Sequence, residues 1–268
     1  MVRYALFASF LLTTPVWAGV DGPPEPTRKP LQCAVDLDLG ETQEVTLSDG
    51  SKATVKLLDL QETRDPIRNA VRRAAVKVEV NGKPVELVSG MYNLPISVAG
   101  VQIDCSVTQG FATNSTLDHW HLKKAARLRL WPGGSPWIEP GTFVYPAKQR
   151  WFASGSHMGN EPVHVDGGED PANKKIYYHS GLEIGGAEEM VDVVAATDGL
   201  VVSSGLSKLP GYEGTPIEPR YDVVYLLDDR GWYYRYSHFF SIDKAVTPGA
   251  KLSMGQKVGV LGKEGGSG

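Results

Sequence analysis

Apolar residues alternate with polar ones along most of this chain, a period of two that predicts strands rather than helices. Val45 and Leu47 precede Asp49-Gly50, and Val55 and Leu57 follow it. Val76, Val78 and Val80 precede Asn81-Gly82, with Val85 and Leu87 beyond. Asp-Gly and Asn-Gly between alternating apolar runs are strong hairpin signals, because both turn positions must accept a left-handed backbone. Asp65-Pro66 before 67–75 reads as the start of one short helix, with Asp as cap and Pro in the first turn. The alternation runs from Cys33 to near Trp131 and predicts an antiparallel β module.

The stretch 131–146 (WPGGSPWIEPGTFVYP) has the Pro, Gly and Trp content of a connector. The segment 151–170 is loop-like and polar. Short β runs return at 191–195, 200–203, 222–227, 232–236 and 258–261, with turns at Asp198-Gly199 and Arg230-Gly231. No internal repeat and no alternation of strand with helix points to a parallel sheet. The expected fold is mainly β in two parts: an antiparallel module over 33–146 and a second antiparallel unit over 147–268.

The first eighteen residues alter the picture of compartment. Arg3, the apolar stretch 4–12 and Val16-Trp17-Ala18 match the charged, apolar and small-residue parts of an export signal at 1–18. A proline-rich leader follows over 19–32. No other segment is apolar enough for a membrane helix. The protein is therefore expected to be secreted, periplasmic or attached to the cell envelope. A net charge of −4 with scattered basic residues gives no nucleic-acid footprint. The two cysteines, Cys33 and Cys105, are expected to pair as a disulfide, as an isolated pair in an exported chain usually does.

Chemistry gathers in the second half. His179-Ser-Gly181-Leu-Glu183 offers an imidazole and a carboxylate, which share a zinc ion only if their donor atoms come within roughly 3–4 Å of each other. On a straight strand these residues would lie roughly 13 Å apart, so the backbone must bend, and Gly181 eases a bend. By spacing alone, the pair more often marks a surface histidine beside a solvated carboxylate. Tyr236-Ser-His238 closes an aromatic strand whose alternation sets Tyr236 and His238 on one face. The tail carries Pro248-Gly249, Gly255-Gln256, Gly259 and Gly262, glycines suited to tight turns between short strands.

The order of these elements resembles the lysostaphin-like zinc metallopeptidases. The likeness runs from His179-x-Gly181-x-Glu183 through Ala195-x-x-Asp198-Gly199 and Tyr236-x-His238 to the Pro-Gly…Gly-Gln…Gly…Gly tail, over about Tyr178 to Gly268. It implies cleavage of peptide bonds in bacterial peptidoglycan with zinc as cofactor. It also implies His179 as first metal ligand, Glu183 at the second ligand position (Asp in most of the family), and His238 as a histidine lining the active site. The family's third ligand and general base belong to a His-x-His motif after the tail. That motif is expected beyond Gly268, so the 268-residue chain is expected to lack activity by itself. The upstream His119-Trp-His121 is out of family order and reads as part of a β segment of the first module. His157 and His164 read as surface residues of the polar loop. Two other functions stay open: a degenerate member that binds cell wall or regulates another hydrolase without cleaving, and a secreted β-sandwich binding or adhesion protein.

Overall fold

A computed structural model of the chain describes residues 22–90, 92–117, 119–149, 156–157, 162–164 and 176–265. The export signal expected at 1–18 lies outside them. Among the described residues the protein is mainly β, and the one α-helix has five residues. No helix among them is long and apolar enough to cross a membrane.

The first half is a sandwich. Its strands are β1 (Cys33–Leu37), β2 (Thr42–Thr46), β3 (Lys52–Arg64), β4 (Val71–Val80), β5 (Lys83–Val88), β6 (Ile96–Val98), β7 (Val101–Thr108) and, after helix α1 (Gln109–Thr113), β8 (Ala126–Pro132). They form two four-stranded antiparallel sheets, ordered β1-β8-β7-β6 and β2-β3-β4-β5. The alternation does what a period of two dictates. Val35, Leu37, Ile103, Cys105, Leu128 and Leu130 of one sheet meet Val45, Val55, Leu57, Val76, Val78 and Val80 of the other in one core. The β4–β5 hairpin closes through Asn81 (φ 49°) and Gly82 (φ 79°), the two left-handed residues of a type I′ turn.

The helix expected at 67–75 does not form. The Asp65 carboxylate accepts the N–H groups of Ile67, Arg68 and Ala70 at 3.1, 2.7 and 2.7 Å, as a cap should. Asn69 then turns left-handed (φ 60°), and the chain enters β4 two residues later. Burial decides it: Ala70, Val71 and Ala74 are fully enclosed in a second core, and an extended chain delivers them there.

The Cys33–Cys105 disulfide is also corrected, since both thiols are free. The two cysteines sit on β1 and β7, and β8 runs between them, with Leu130 opposite Cys33 and Leu128 opposite Cys105. Two inter-strand spacings amount to roughly 9.6 Å, beyond the roughly 7 Å that a disulfide spans between Cα atoms. Burial pushes the Cys105 thiol up to about 12.

The second half adds β9 (Ser156–His157), β10 (Pro162–His164), β11 (Ile176–Tyr178), β12 (Glu183–Ile184), β13 (Asp192–Val194), β14 (Gly199–Ser204), β15 (Ser207–Lys208), β16 (Val224–Leu227), β17 (Tyr233–Tyr236), β18 (Phe239–Ile242), β19 (Lys251–Leu252) and β20 (Lys257–Leu261). One sheet is ordered β13-β20-β18, and a second β15-β14-β16-β17 with β19 also on β14. Val201, Val224, Leu226, Phe239, Leu252 and Val258 form the core between them. Val202, Tyr212, Ile217, Val223 and Tyr225 form another on the far face of β14 and β16, covered by the 205–221 loop. Gly259 answers to close approach, because a Cβ there would run into the Ser241 carbonyl and the Phe239 ring.

Two segments cross between the halves. Ile176 and Tyr178 of β11 are fully buried against Val71, Ala74, Val107 and Phe111 of the sandwich, across the boundary drawn at residue 147. The proline-rich leader lies on the turn after β16: the N–H groups of Thr27 and Arg28 both donate to the Asp229 carbonyl at 2.9 Å. The Arg28 guanidinium reaches Asp229 and Glu139, each at 2.9 Å.

Candidate functional site

His179 follows directly on an anchored residue. Tyr178 stands edge-on to Phe111 (5.0 Å between ring centroids, 90° between planes). Its hydroxyl accepts the Val71 N–H at 2.8 Å and the Asn114 amide at 3.1 Å. The chain then bends over 180–181 and re-enters extended structure at Glu183, in β12 paired with β9. The bend brings His179 Nδ1 to 3.6 Å from Glu183 Oε1. Two donors about 2.0–2.1 Å from a tetrahedral zinc sit roughly 3.3 Å apart, so this pair matches two corners of such a site. The His179 side chain is 13% exposed and that of Glu183 40%. Gly181 does not have positive φ, and a Cβ there would meet nothing within 4 Å. The bend needs no glycine. His179 also meets the Tyr177 ring edge-on at 5.7 Å.

His238 belongs to another part of the fold, the step between β17 and β18. Alternation does not carry through to it, because β17 ends at Tyr236 and His238 is left-handed (φ 72°). A non-glycine residue in that region costs about 1–3 kcal/mol, which its surroundings must offset. They do so through Asp222, whose side chain is fully buried and whose Oδ2 accepts the His238 N–H at 3.0 Å. Asp222 is gripped in turn by the Arg220 fork, at 2.5 and 2.7 Å. Burial pushes the Asp222 carboxyl up, but Arg220 and the His238 N–H outweigh it and hold it below the usual carboxylate range.

The imidazole itself meets the Glu264 carbonyl, 2.5 Å from Nδ1. Arg220 Nη2 stands 3.4 Å from the same nitrogen. Nδ1 cannot accept from Arg220 and donate to Glu264 at once. A carbonyl can only accept, and its contact is much the shorter, so Nδ1 carries the proton. Tyr236 lies back in the core with its hydroxyl accepting the Ala196 N–H at 2.8 Å, and burial pushes its phenol up to about 12.

Of the expected site residues, then, His179 and Glu183 come together. Among the described residues no three His, Cys, Asp or Glu side chains are grouped to share a metal, so His238 does not join that pair as a third ligand. His119 and His121 lie outside any strand, and His121 is left-handed (φ 48°), so the β segment read for them starts only at β8. The side chains of His157 and His164 fall outside the described residues. Sequence reasoning missed Asp222, Arg220 and Tyr178. Arg-x-Asp ahead of a fully apolar run was the available sign of the first two. Comparison with protein-family models, with curated proteins and with solved structures gives no match.

Proposed function

We propose that this is a secreted zinc-dependent endopeptidase of the lysostaphin-like kind, acting on peptide bonds of cell-wall peptidoglycan. The observation that carries the reading is the His179–Glu183 pair, at a donor separation suited to zinc across a bend that a straight strand would forbid. His179 and Glu183 would hold the ion, and a third protein ligand would come from outside the described residues. When bound, zinc acidifies a water and polarises the scissile carbonyl. His238, with Nδ1 committed to Glu264, would have the lone pair of Nε2 left to accept a proton at the reacting centre and, once protonated, to return it. The sandwich serves as a platform through Tyr178.

The second reading, a degenerate member that binds cell wall or regulates another hydrolase without cleaving, is favoured by Glu183 standing where most of that family carries Asp. Incubating the complete gene product with zinc and isolated peptidoglycan separates the two. The enzyme reading expects new peptide amino termini, lost in His179→Ala and His238→Ala. Peptidoglycan retention without any release would replace it with the binding reading.

A further inference from the structure

We infer that Asp222 is the positioning residue for His238, and that it works by holding the histidine backbone left-handed so that the ring keeps a single tautomer, with the proton on Nδ1 toward Glu264 and none on Nε2. The inference rests on the reading of His238 as the imidazole at the reacting centre, and its test is independent of turnover.

Three observations meet here. His238 has a φ of 72°, a conformation that side chains with a Cβ adopt only under constraint. The constraint is visible: Asp222 Oδ2 accepts the His238 N–H at 3.0 Å, and the Asp222 carbonyl accepts the next N–H, of Phe239, at 3.2 Å. One residue thus holds both sides of the kink. Thirdly, the ring is seated by a backbone group that cannot change role, the Glu264 carbonyl at 2.5 Å from Nδ1. Tyr221 supports that carbonyl's segment, since its hydroxyl accepts the Gly265 N–H at 2.9 Å.

Arg220 completes the device without touching the reacting side of the ring. Its fork is spent on Asp222, and it keeps that carboxylate ionised and aimed at the His238 N–H. Asp222 Oδ2 lies 3.6 Å from Nδ1 and Arg220 Nη2 3.4 Å from it, so the two opposite charges offset each other at that nitrogen and the Glu264 carbonyl decides the tautomer. The arrangement parallels the general rule that the partner on one imidazole nitrogen decides what the other can do. An apolar residue at 222 would release the His238 N–H and let the backbone relax toward negative φ, swinging the ring away from Glu264. Asparagine would keep a carbonyl oxygen for the N–H while losing the charge.

The experiment is nitrogen-15 NMR of the His238 ring in the full chain, in wild type, Asp222→Ala and Asp222→Asn, at a pH where histidine is neutral. The wild type is expected to show Nδ1 protonated and Nε2 bare. Asp222→Ala is expected to lose that single tautomer and give a mixture, and Asp222→Asn to retain it in full or large part. The Asn variant guards against simple unfolding. A bare Nδ1 in the wild type overturns the inference, and so does an unchanged single tautomer in a folded Asp222→Ala protein. Failure of the peptidase reading would instead appear as absent cleavage with the tautomer pattern intact.

Discussion

Replacing Tyr178 by Phe removes one oxygen atom and leaves the ring in place, so its effect is open to calculation. The lost hydroxyl accepts two N–H groups, from Val71 at 2.8 Å and from Asn114 at 3.1 Å. Asn114 keeps the Asn69 carbonyl as acceptor at 2.9 Å and is half-buried, so water can satisfy the remainder. Val71 has no such recourse, because it is fully buried at the start of β4. An orphaned buried N–H costs about 1–3 kcal/mol, and the packing on Phe111 is unchanged. A loss of about 2 kcal/mol is therefore expected, which for a chain of this size lowers Tm by roughly 4–8 °C. Urea unfolding would measure the loss, and hydrogen exchange of the Val71 amide would locate it. Because His179 is the next residue, apparent zinc affinity should weaken in the same variant. A change under about 0.5 kcal/mol with the Val71 amide still protected would refute the anchoring of the site on the sandwich.

Asp65→Ala strips three N–H groups of their acceptor and should cost about 1–2 kcal/mol by denaturant titration, with Asp65→Asn losing less. Acid should weaken the fold around His238. Asp222 has a depressed folded-state pKa, so its contribution is full above the unfolded value near ~4 and is lost as pH falls below it. Asp222→Asn should flatten that part of the stability-versus-pH curve. Thiol reagents without reductant should leave Cys105 unlabelled in the folded protein and label both cysteines in denaturant; failure to label in denaturant would restore the disulfide.

The parts that were legible in the sequence rest on local physics. Asn81-Gly82 closes its hairpin because the turn chemistry is contained in two residues. The runs that became β14, β16 and β20 were readable because their apolar residues face cores directly. What escaped depends on distant partners. Ile176-Tyr177-Tyr178 is a β-branched and aromatic run suited to a strand, but nothing local says that it docks on Val71 and Phe111, about a hundred and about sixty-five positions away. Asp65 capped as its type suggests, yet burial of Ala70, Val71 and Ala74 converted the expected helix into a turn and a strand. The disulfide expectation argued from compartment, which carries no information on the strand order that separates the two cysteines. In the candidate site, the spacing of His179 and Glu183 and the bend their sharing of an ion requires were readable, whereas the role given to Gly181 was not upheld, since a Cβ there would meet nothing within 4 Å. The kink at His238 broke the alternation from which its orientation had been read.

The central claim is that His179 and Glu183 together hold a metal ion. Its most direct test is crystallography of the protein with zinc, with anomalous difference maps recorded on either side of the zinc edge. The account predicts a peak between His179 and Glu183, about 2 Å from a ring nitrogen and from a carboxylate oxygen, that vanishes in His179→Ala. Zinc sites elsewhere with none at this pair, at saturating zinc, would contradict it.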